Sequence, residues 1–171
     1  MNPFEKRKGA LQALYGLGIY LSKSPVEKSL LNLIYYRVSQ INGCPFCLDM
    51  HSKDLRAAGE TEQRLFVLDA WREAPFYTDR EQAALAWAEA VTKITNGHVP
   101  DGVYEEARAQ FSEEELVDLT LAVTTINSYN RINIAFGVKA GGYKVGMFEV
   151  ALGFSVCSDE FAVGRVCGHG G

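Results

Sequence analysis

The chain is organised around one stretch, Gly43-Cys44-Pro45-Phe46-Cys47-Leu48-Asp49-Met50-His51. Glycine takes positive φ without penalty, so Asn42-Gly43 is typical of the residues that end a helix. Pro45 suits the first position of a following helix, because the N–H that proline lacks is not needed there. The stretch therefore predicts a helix stop followed at once by a helix start, with Cys44 at or near the N-cap.

Two cysteines and a histidine share one face of this second helix. Cys47 follows Cys44 by three residues and His51 follows Cys47 by four, and both spacings correspond to about one helical turn. Unpaired N–H groups and the positive end of the helix dipole favour a thiolate, so the thiol pKa should fall below the ~8.5 of a free cysteine. His51 can take or return a proton near neutral pH. The combination predicts thiol–disulfide chemistry.

Two other interpretations of the same residues exist. The CxxC pattern can arise by chance from cysteines buried in a helix. A zinc site would use the same three side chains, but tetrahedral zinc would then lack a fourth ligand, and no second CxxC or HxxxH supplies it. We therefore expect neither a bound metal nor another cofactor.

The residues around the stretch carry a family resemblance. The segment from Arg37 to Asp54 resembles the core motif of the alkylhydroperoxidase D-like (AhpD-like) proteins, within the carboxymuconolactone decarboxylase superfamily. The resemblance covers roughly residues 10–145, through Ala57-Ala58-Gly59-Glu60, Trp71-Arg72-Glu73-Ala74, Phe76-Tyr77-Thr78-Asp79-Arg80-Glu81 and Asn127 to Arg131. It implies an all-α, AhpD-like helical bundle and an enzyme that reduces hydroperoxides.

The resemblance also implies roles for the two thiols. Cys47 would attack the peroxide, and Cys44 would resolve the resulting sulfenic acid as a disulfide. The helix-end field alone favours Cys44 as the nucleophile, since it is strongest at the N-cap. His51 lies one turn from Cys47 and two from Cys44, and a proton passes only between groups that lie close together. We therefore follow the resemblance and take Cys47 as the nucleophile.

Two positions depart from the family pattern. The relay glutamate of the family is replaced by Asn32, which cannot exchange a proton at pH 7. Phe46 stands where the characterised peroxidases tend to have histidine. These changes leave His51 as the only obvious proton handler. Candidate relay or site-lining residues lie on the polar side of the preceding helix, namely Asn32, Tyr35, Tyr36 and Ser39.

The rest of the chain reads as further helices. Capping boxes are predicted at Ser24–Glu27, Thr78–Glu81 and Ser112–Glu115. With the stop and start signals they predict helices over residues 10–21, 25–42, 45–58, 61–74 (one helix or two short ones), 79–95, 100–110 and about 113–136. No sustained period-2 alternation appears, which argues against a thioredoxin fold. Asn127, Asn130 and Arg131 should be hydrogen-bonded, with lining of the site entrance as the alternative.

Composition and charge limit the other function classes. A net charge of -4 and a pI near 5.4 argue against nucleic acid and anionic membranes as partners. No apolar run reaches the ~18 residues that a membrane span needs. Since a secretory context is lacking, we expect a cytoplasmic protein in which a cysteine pair cycles between thiols and a disulfide. We divide the chain into a helical domain, 1–146, and a glycine-rich extension of unassigned role, 147–171, and expect loose packing from Gly137 onward.

The final helix is apolar on nearly every side, so it should be buried within the fold or against a second subunit. Related family members form trimers or hexamers, and we expect a homo-oligomer. The sequence therefore predicts a thiol-dependent peroxidase that uses Cys44, Cys47 and His51. An external dithiol, such as a lipoyl or thioredoxin-like protein, would reduce its disulfide after each reaction. One alternative is a disulfide reductase or redox adaptor without significant peroxidase activity. Another is a non-catalytic or decarboxylase member of the superfamily.

Overall fold

The computed structural model of the chain describes residues 3–6 and 8–148, and within these ranges every regular element is helical. The α-helices are α1 (Pro3–Lys6), α2 (Lys8–Leu21), α3 (Lys28–Asn42), α4 (Pro45–Ala57), α5 (Glu62–Phe66), α6 (Asp79–Thr92), α7 (Asp101–Gln110) and α8 (Glu113–Ala135). Single turns of 3-10 helix cover Leu68–Ala70 and Ile94–Asn96. The all-α prediction is confirmed.

The corner between α3 and α4 forms as the sequence predicts. Gly43 adopts the left-handed conformation with φ of 67°, and its N–H donates to the carbonyl of Gln40. Cys44 is the N-cap of α4, and its sulfur accepts the backbone N–H of Cys47 at 3.3 Å. Pro45 occupies the first helical position. Local chemistry alone therefore fixes where the cysteine-bearing helix begins.

Two of the three predicted capping boxes are present. Thr78 with Glu81 caps α6, and Ser112 with Glu115 caps α8. The third prediction is wrong, because α3 begins at Lys28 rather than at residue 25. The hydroxyl of Ser24 accepts the backbone N–H of Val26 at 3.2 Å, but it also donates to Oδ2 of Asp118, in α8, at 2.6 Å.

Helix α8 lies at the centre of the bundle. It packs against α2, α3, α4, α6 and α7, and it buries apolar side chains that include Leu119, Val123 and Ile126. Much of its apolar surface is therefore covered by helices of the same chain, whereas Val117 and Ile134 stay exposed. The expected homo-oligomer stays a prediction that rests on the resemblance.

A buried ion pair ties α3 to α6. Arg37 Nε donates to Oε1 of Glu89 at 2.9 Å, and both side chains are buried. Trp71 Nε1 donates to the same oxygen at 3.0 Å, and Arg72 Nη1 to the other carboxylate oxygen at 2.8 Å. The Glu89 carboxylate is thus fully engaged, as a buried charge requires. This network fixes α3, whose C-terminal end positions Gly43 and Cys44.

Residues 141–148, which we call the C-terminal strap, lie along α4. The Gly141 N–H donates to Oδ2 of Asp49 at 3.0 Å, and Lys53 Nζ donates to the carbonyl of Tyr143 at 3.0 Å. The hydroxyl of Tyr143 donates to Oδ1 of Asp54 at 2.7 Å. Polar side chains of α4 therefore anchor this segment, and Tyr143 is buried, although most of its other residues are exposed.

The remainder of the predicted extension, 149–171, with Cys157 and Cys167, lies outside the described residues. In the part that the structure covers, we find no helix with both the length and the apolar character of a membrane span.

Candidate active site

Cys44 and Cys47 are joined by a disulfide, with their Cα atoms 5.4 Å apart. Both side chains are buried, with exposed fractions of 0% and 1%. Their surroundings differ, because Cys47 lines a cavity and Cys44 does not. The two sulfurs are therefore inequivalent toward any molecule that enters the cavity.

The cavity has a volume of about 190 Å³ and lies among α2, α4 and α8. Most of its wall is apolar, with Gly18, Met50 and Ile126 contributing to it. Aromatic rings supply much of the remainder, from Tyr15, Tyr35, Phe46, Tyr129 and Phe148. Phe148 belongs to the C-terminal strap, and its ring centroid lies 5.7 Å from that of Tyr143 and 6.4 Å from that of Phe46.

Four polar side chains interrupt this apolar wall: Cys47, His51, Thr125 and Asn133. Asn133 Nδ2 donates to the sulfur of Cys47 at 3.3 Å. Both ring nitrogens of His51, Oγ1 of Thr125 and Oδ1 of Asn133 are buried and have no hydrogen-bond partner among the described residues. Buried polar atoms are normally paired, so these four atoms of the cavity-lining residues are exceptions within the described part of the chain.

His51 is neutral at physiological pH. Its side chain is 6% exposed, and burial lowers its pKa from 6.5 to about 4. Its ring centroid lies 5.3 Å from that of Tyr35, which shields it further. A neutral imidazole can accept a proton and pass it on, and His51 lines the same cavity as Cys47.

The tyrosines of the wall are also uncharged. Burial raises the pKa of Tyr35 to about 12, and it raises the pKa values of Tyr15 and Tyr129 as well. No Asp, Glu, Lys or Arg lines the cavity. With the disulfide closed, the cavity lining therefore carries no charged side chain at neutral pH.

The chain shares sequence with proteins of one family. The model of the carboxymuconolactone decarboxylase family matches residues 9–90. The uncharacterized protein YdfG of Bacillus subtilis (strain 168) is 48% identical over 121 residues, which cover 71% of this chain and 82% of YdfG. The alkyl hydroperoxide reductase AhpD of Mycobacteroides abscessus is 36% identical over 88 residues, which cover 48% of this chain and 49% of AhpD.

Solved structures agree with these relatives. A protein of unknown function from Agrobacterium tumefaciens, suggested to be the antioxidant defence protein AhpD, is 40% identical with a TM-score of 0.80. The match covers 84% of this chain and 98% of that one. The chain belongs to the carboxymuconolactone decarboxylase family. Within that family it is AhpD-like.

The AhpD-like fold does not by itself fix a reaction. The debrominase Bmp8 shares it, with a TM-score of 0.72 at 21% identity over 81% of this chain and 75% of Bmp8. The chemistry of this AhpD-like protein must therefore be argued from its own side chains. Among residues 3–6 and 8–148, no three His, Cys, Asp or Glu side chains come together as a metal site would require.

Only some of the predicted site residues line the cavity. Cys47, His51 and Tyr35 line it, whereas Cys44 lies behind Cys47. Asn32 and Tyr36 are half-buried and do not contribute to the wall. A relay role for Asn32, Tyr36 or Ser39 stays a prediction.

Ser39 belongs to a polar cluster beside the corner. Its hydroxyl donates to the carbonyl of Tyr35 at 2.7 Å and accepts from Nδ2 of Asn130 at 3.0 Å. Asn42 Nδ2 donates to the side-chain oxygens of Asn127 and Asn130, at 2.9 Å each. The prediction that these asparagines are hydrogen-bonded is confirmed, and they hold α8 against the end of α3.

Sequence reasoning missed two polar residues of the wall. Thr125 and Asn133 both belong to α8, close to Asn127 and Asn130, for which the sequence predicted hydrogen bonds. Asn133 follows Asn130 by three residues, so it lies on nearly the same helical face. That spacing is the signal that could have identified Asn133, whereas nothing local distinguishes Thr125.

Proposed function

We propose that this AhpD-like protein is a thiol-dependent peroxidase that reduces hydroperoxides with the Cys44–Cys47 pair. One observation carries the proposal: of the two bonded sulfurs, the one on the cavity side belongs to Cys47. A small oxidant that enters the cavity meets Cys47 first, and the resolving thiol of Cys44 waits one helical turn away. This order of events is the one that the family resemblance implies.

The first step begins from the reduced protein. Neutral His51 accepts the proton of the Cys47 thiol, and the thiolate attacks the terminal oxygen of the hydroperoxide. The O–O bond breaks, the S–O bond forms, and the leaving alkoxide takes the proton back from His51 as an alcohol. Cys47 is then a sulfenic acid, oxidised by two electrons.

The second step consumes the sulfenic acid. The Cys44 sulfur attacks the Cys47 sulfur, the S–O bond breaks, and hydroxide leaves as water with the proton of the Cys44 thiol. A Cα separation of 5.4 Å brings the two sulfurs within bonding reach. In sum, a hydroperoxide and two thiols become an alcohol, water and a disulfide. An external dithiol then returns the pair to its reduced form by exchange.

Burial of both sulfurs bears on the rival function of a redox adaptor. Exposed fractions of 0% and 1% leave no surface on which the folded body of another protein could place its own thiol. A small peroxide, or a slender dithiol such as a lipoyl arm, needs a much smaller opening than a folded protein does. Access therefore favours peroxide chemistry over disulfide exchange with a bulky protein partner.

The decisive experiment separates the two cysteines. In a background that carries Cys157→Ser and Cys167→Ser, the reduced protein is titrated with cumene hydroperoxide and followed by intact mass. We expect one disulfide per peroxide consumed. With Cys44→Ser we expect a sulfenic acid that a dimedone reagent traps on Cys47. With the matched variant Cys47→Ser we expect no peroxide consumption above the thiol-free rate.

Other results would contradict the proposal in different ways. Trapping on Cys44 rather than Cys47 would reverse the order of the two thiols. Rapid disulfide exchange with dihydrolipoamide and no peroxide consumption would favour the redox-adaptor function.

A further inference from the structure

The cavity lining carries no formal charge to compensate a charged ligand. None of its residues is acidic or basic at neutral pH, since the three tyrosines and His51 are all uncharged. An ion that entered would lose its hydration without gaining a counter-charge, which costs several kcal/mol or more. An anion would in addition lie against the thiolate of Cys47. The lining therefore selects neutral molecules.

The size and the walls of the cavity suit a single aromatic ring. Its volume of about 190 Å³ exceeds the roughly 150 Å³ of an apolar protein cavity that binds benzene. The excess leaves room for a short branch on the ring. Five aromatic residues line this space, Tyr15, Tyr35, Phe46, Tyr129 and Phe148, so a flat ligand can make offset or edge contacts with several rings.

The unpaired polar atoms lie at separate points of the cavity wall. Thr125 Oγ1 and Asn133 Oδ1 come from α8, about two helical turns apart, and the His51 nitrogens come from α4. A hydroxyl or hydroperoxyl group both donates and accepts, so it can pair with an acceptor such as Asn133 Oδ1 or, in another position, with the hydroxyl of Thr125. A ligand with no polar group would leave these buried atoms unpaired.

We propose that the cavity binds neutral aromatic molecules that carry a single hydroxyl or hydroperoxyl group on a short branch, and that it discriminates against aromatic carboxylates. For turnover the inference rests on the proposed peroxidase function and names its substrate class as neutral aryl-alkyl hydroperoxides. The binding part of the inference does not depend on the peroxidase function, because it rests on the cavity wall and not on a reaction of the thiols.

Equilibrium binding to the oxidised protein tests the inference without any redox step. Isothermal titration at pH 7 compares 2-phenyl-2-propanol with phenylacetate, an anion of the same heavy-atom count, and with octan-2-ol, a non-aromatic alcohol of similar size. We expect the aromatic alcohol to bind at least tenfold more tightly than phenylacetate and several-fold more tightly than octan-2-ol.

A pair of glycine variants locates the binding site. Gly18 and Gly16 both lie in α2, and a Cβ atom added at either meets no heavy atom within 4 Å. Gly18 lines the cavity, whereas Gly16 is exposed and does not. We expect Gly18→Leu to fill the cavity and weaken binding of 2-phenyl-2-propanol by at least tenfold. Gly16→Leu should leave binding within twofold of the wild type.

The outcomes separate this inference from the peroxidase proposal. Equal or tighter binding of phenylacetate, equal binding of octan-2-ol, or an unaffected Gly18→Leu variant would each overturn it, whether or not the protein consumes peroxide. Selective binding of the aromatic alcohol that Gly18→Leu abolishes would support it, even in a protein that proves unable to reduce a hydroperoxide.

Discussion

At the scale of single residues, the contact between Asn133 and Cys47 has chemical consequences. The Asn133 amide donates to the Cys47 sulfur across the boundary between α8 and α4, and both side chains are buried. After reduction, the same N–H group faces a sulfur that must carry negative charge to act as a nucleophile. Hydrogen bonds to charged groups are stronger than those to neutral ones, so this contact should favour the thiolate.

We therefore predict that Asn133→Ala raises the pKa of the Cys47 thiol by about one to two units, since a hydrogen bond to a charged group contributes roughly 1.5–3 kcal/mol. The pH dependence of iodoacetamide alkylation measures this value in protein that carries Cys44→Ser, Cys157→Ser and Cys167→Ser. Thr125→Val is the matched control, because Thr125 lines the same cavity from the same helix. An equal shift in both variants would assign the effect to cavity polarity rather than to the hydrogen bond.

At the scale of secondary structure, the corner between α3 and α4 depends on one backbone conformation. Gly43 has φ of 67°, which L side chains rarely adopt, although a Cβ there would meet no heavy atom within 4 Å. The penalty of a substitution is therefore conformational and not steric. The same corner places Cys44 at the N-cap of α4, so strain there acts directly on the helix that carries the cysteines.

We predict that Gly43→Ala lowers the free energy of unfolding by about 1–2 kcal/mol, the cost of left-handed backbone for an L residue. Gly16→Ala, in the exposed face of α2, should instead raise it by up to about 1 kcal/mol, because alanine has the higher helix propensity. Urea unfolding followed by circular dichroism measures both. Changes of the same sign in the two variants would contradict the assignment of the corner to the backbone of Gly43.

At the scale of the whole molecule, burial of His51 couples global stability to pH. Its pKa is about 4 in the folded protein and about 6.5 in an unfolded chain, so the unfolded state binds more protons between these values. This contribution to stability is complete above pH ~6.5 and is lost as the pH falls toward 4. Between pH 7 and pH 5 the linkage amounts to about 2 kcal/mol.

We predict that His51→Phe reduces the loss of unfolding free energy between pH 7 and pH 5 by about 2 kcal/mol relative to the wild type. Phenylalanine keeps a ring beside Tyr35 but cannot be protonated. His98 is exposed on a loop, so His98→Asn should retain the wild-type difference between the two pH values. A wild-type pH dependence in His51→Phe would show that His51 is not held neutral by the fold.

The success of sequence reasoning depended on how far apart the interacting groups lie along the chain. The corner at Gly43 and the caps at Thr78 and Ser112 involve residues within one turn, so the local pattern was enough. Ser24 was misassigned because its partner Asp118 lies 94 residues away.

The same limit applied to the candidate site. Cys44, Cys47 and His51 lie on one helix, and their spacing alone predicted that they act together. Asn133 reaches Cys47 from 86 residues away, and the cavity wall combines α2, α3, α4, α8 and the C-terminal strap. No local pattern specifies how these elements meet, because packing of whole helices decides it. The proximity of Cys44 and Cys47 was therefore predictable, whereas the cavity wall around Cys47 was not.

The Cys44–Cys47 bond closes a sequence separation of only 3 residues, within a turn that the cap of α4 already holds. A crosslink this short removes little freedom from an unfolded chain compared with one that closes a long loop. Its formation and cleavage therefore leave the packing of α3, α4 and α8 to the helices themselves. Under the proposed function the bond would store two oxidising equivalents rather than hold the fold together, and its reduction and re-formation would not require the surrounding helices to unfold.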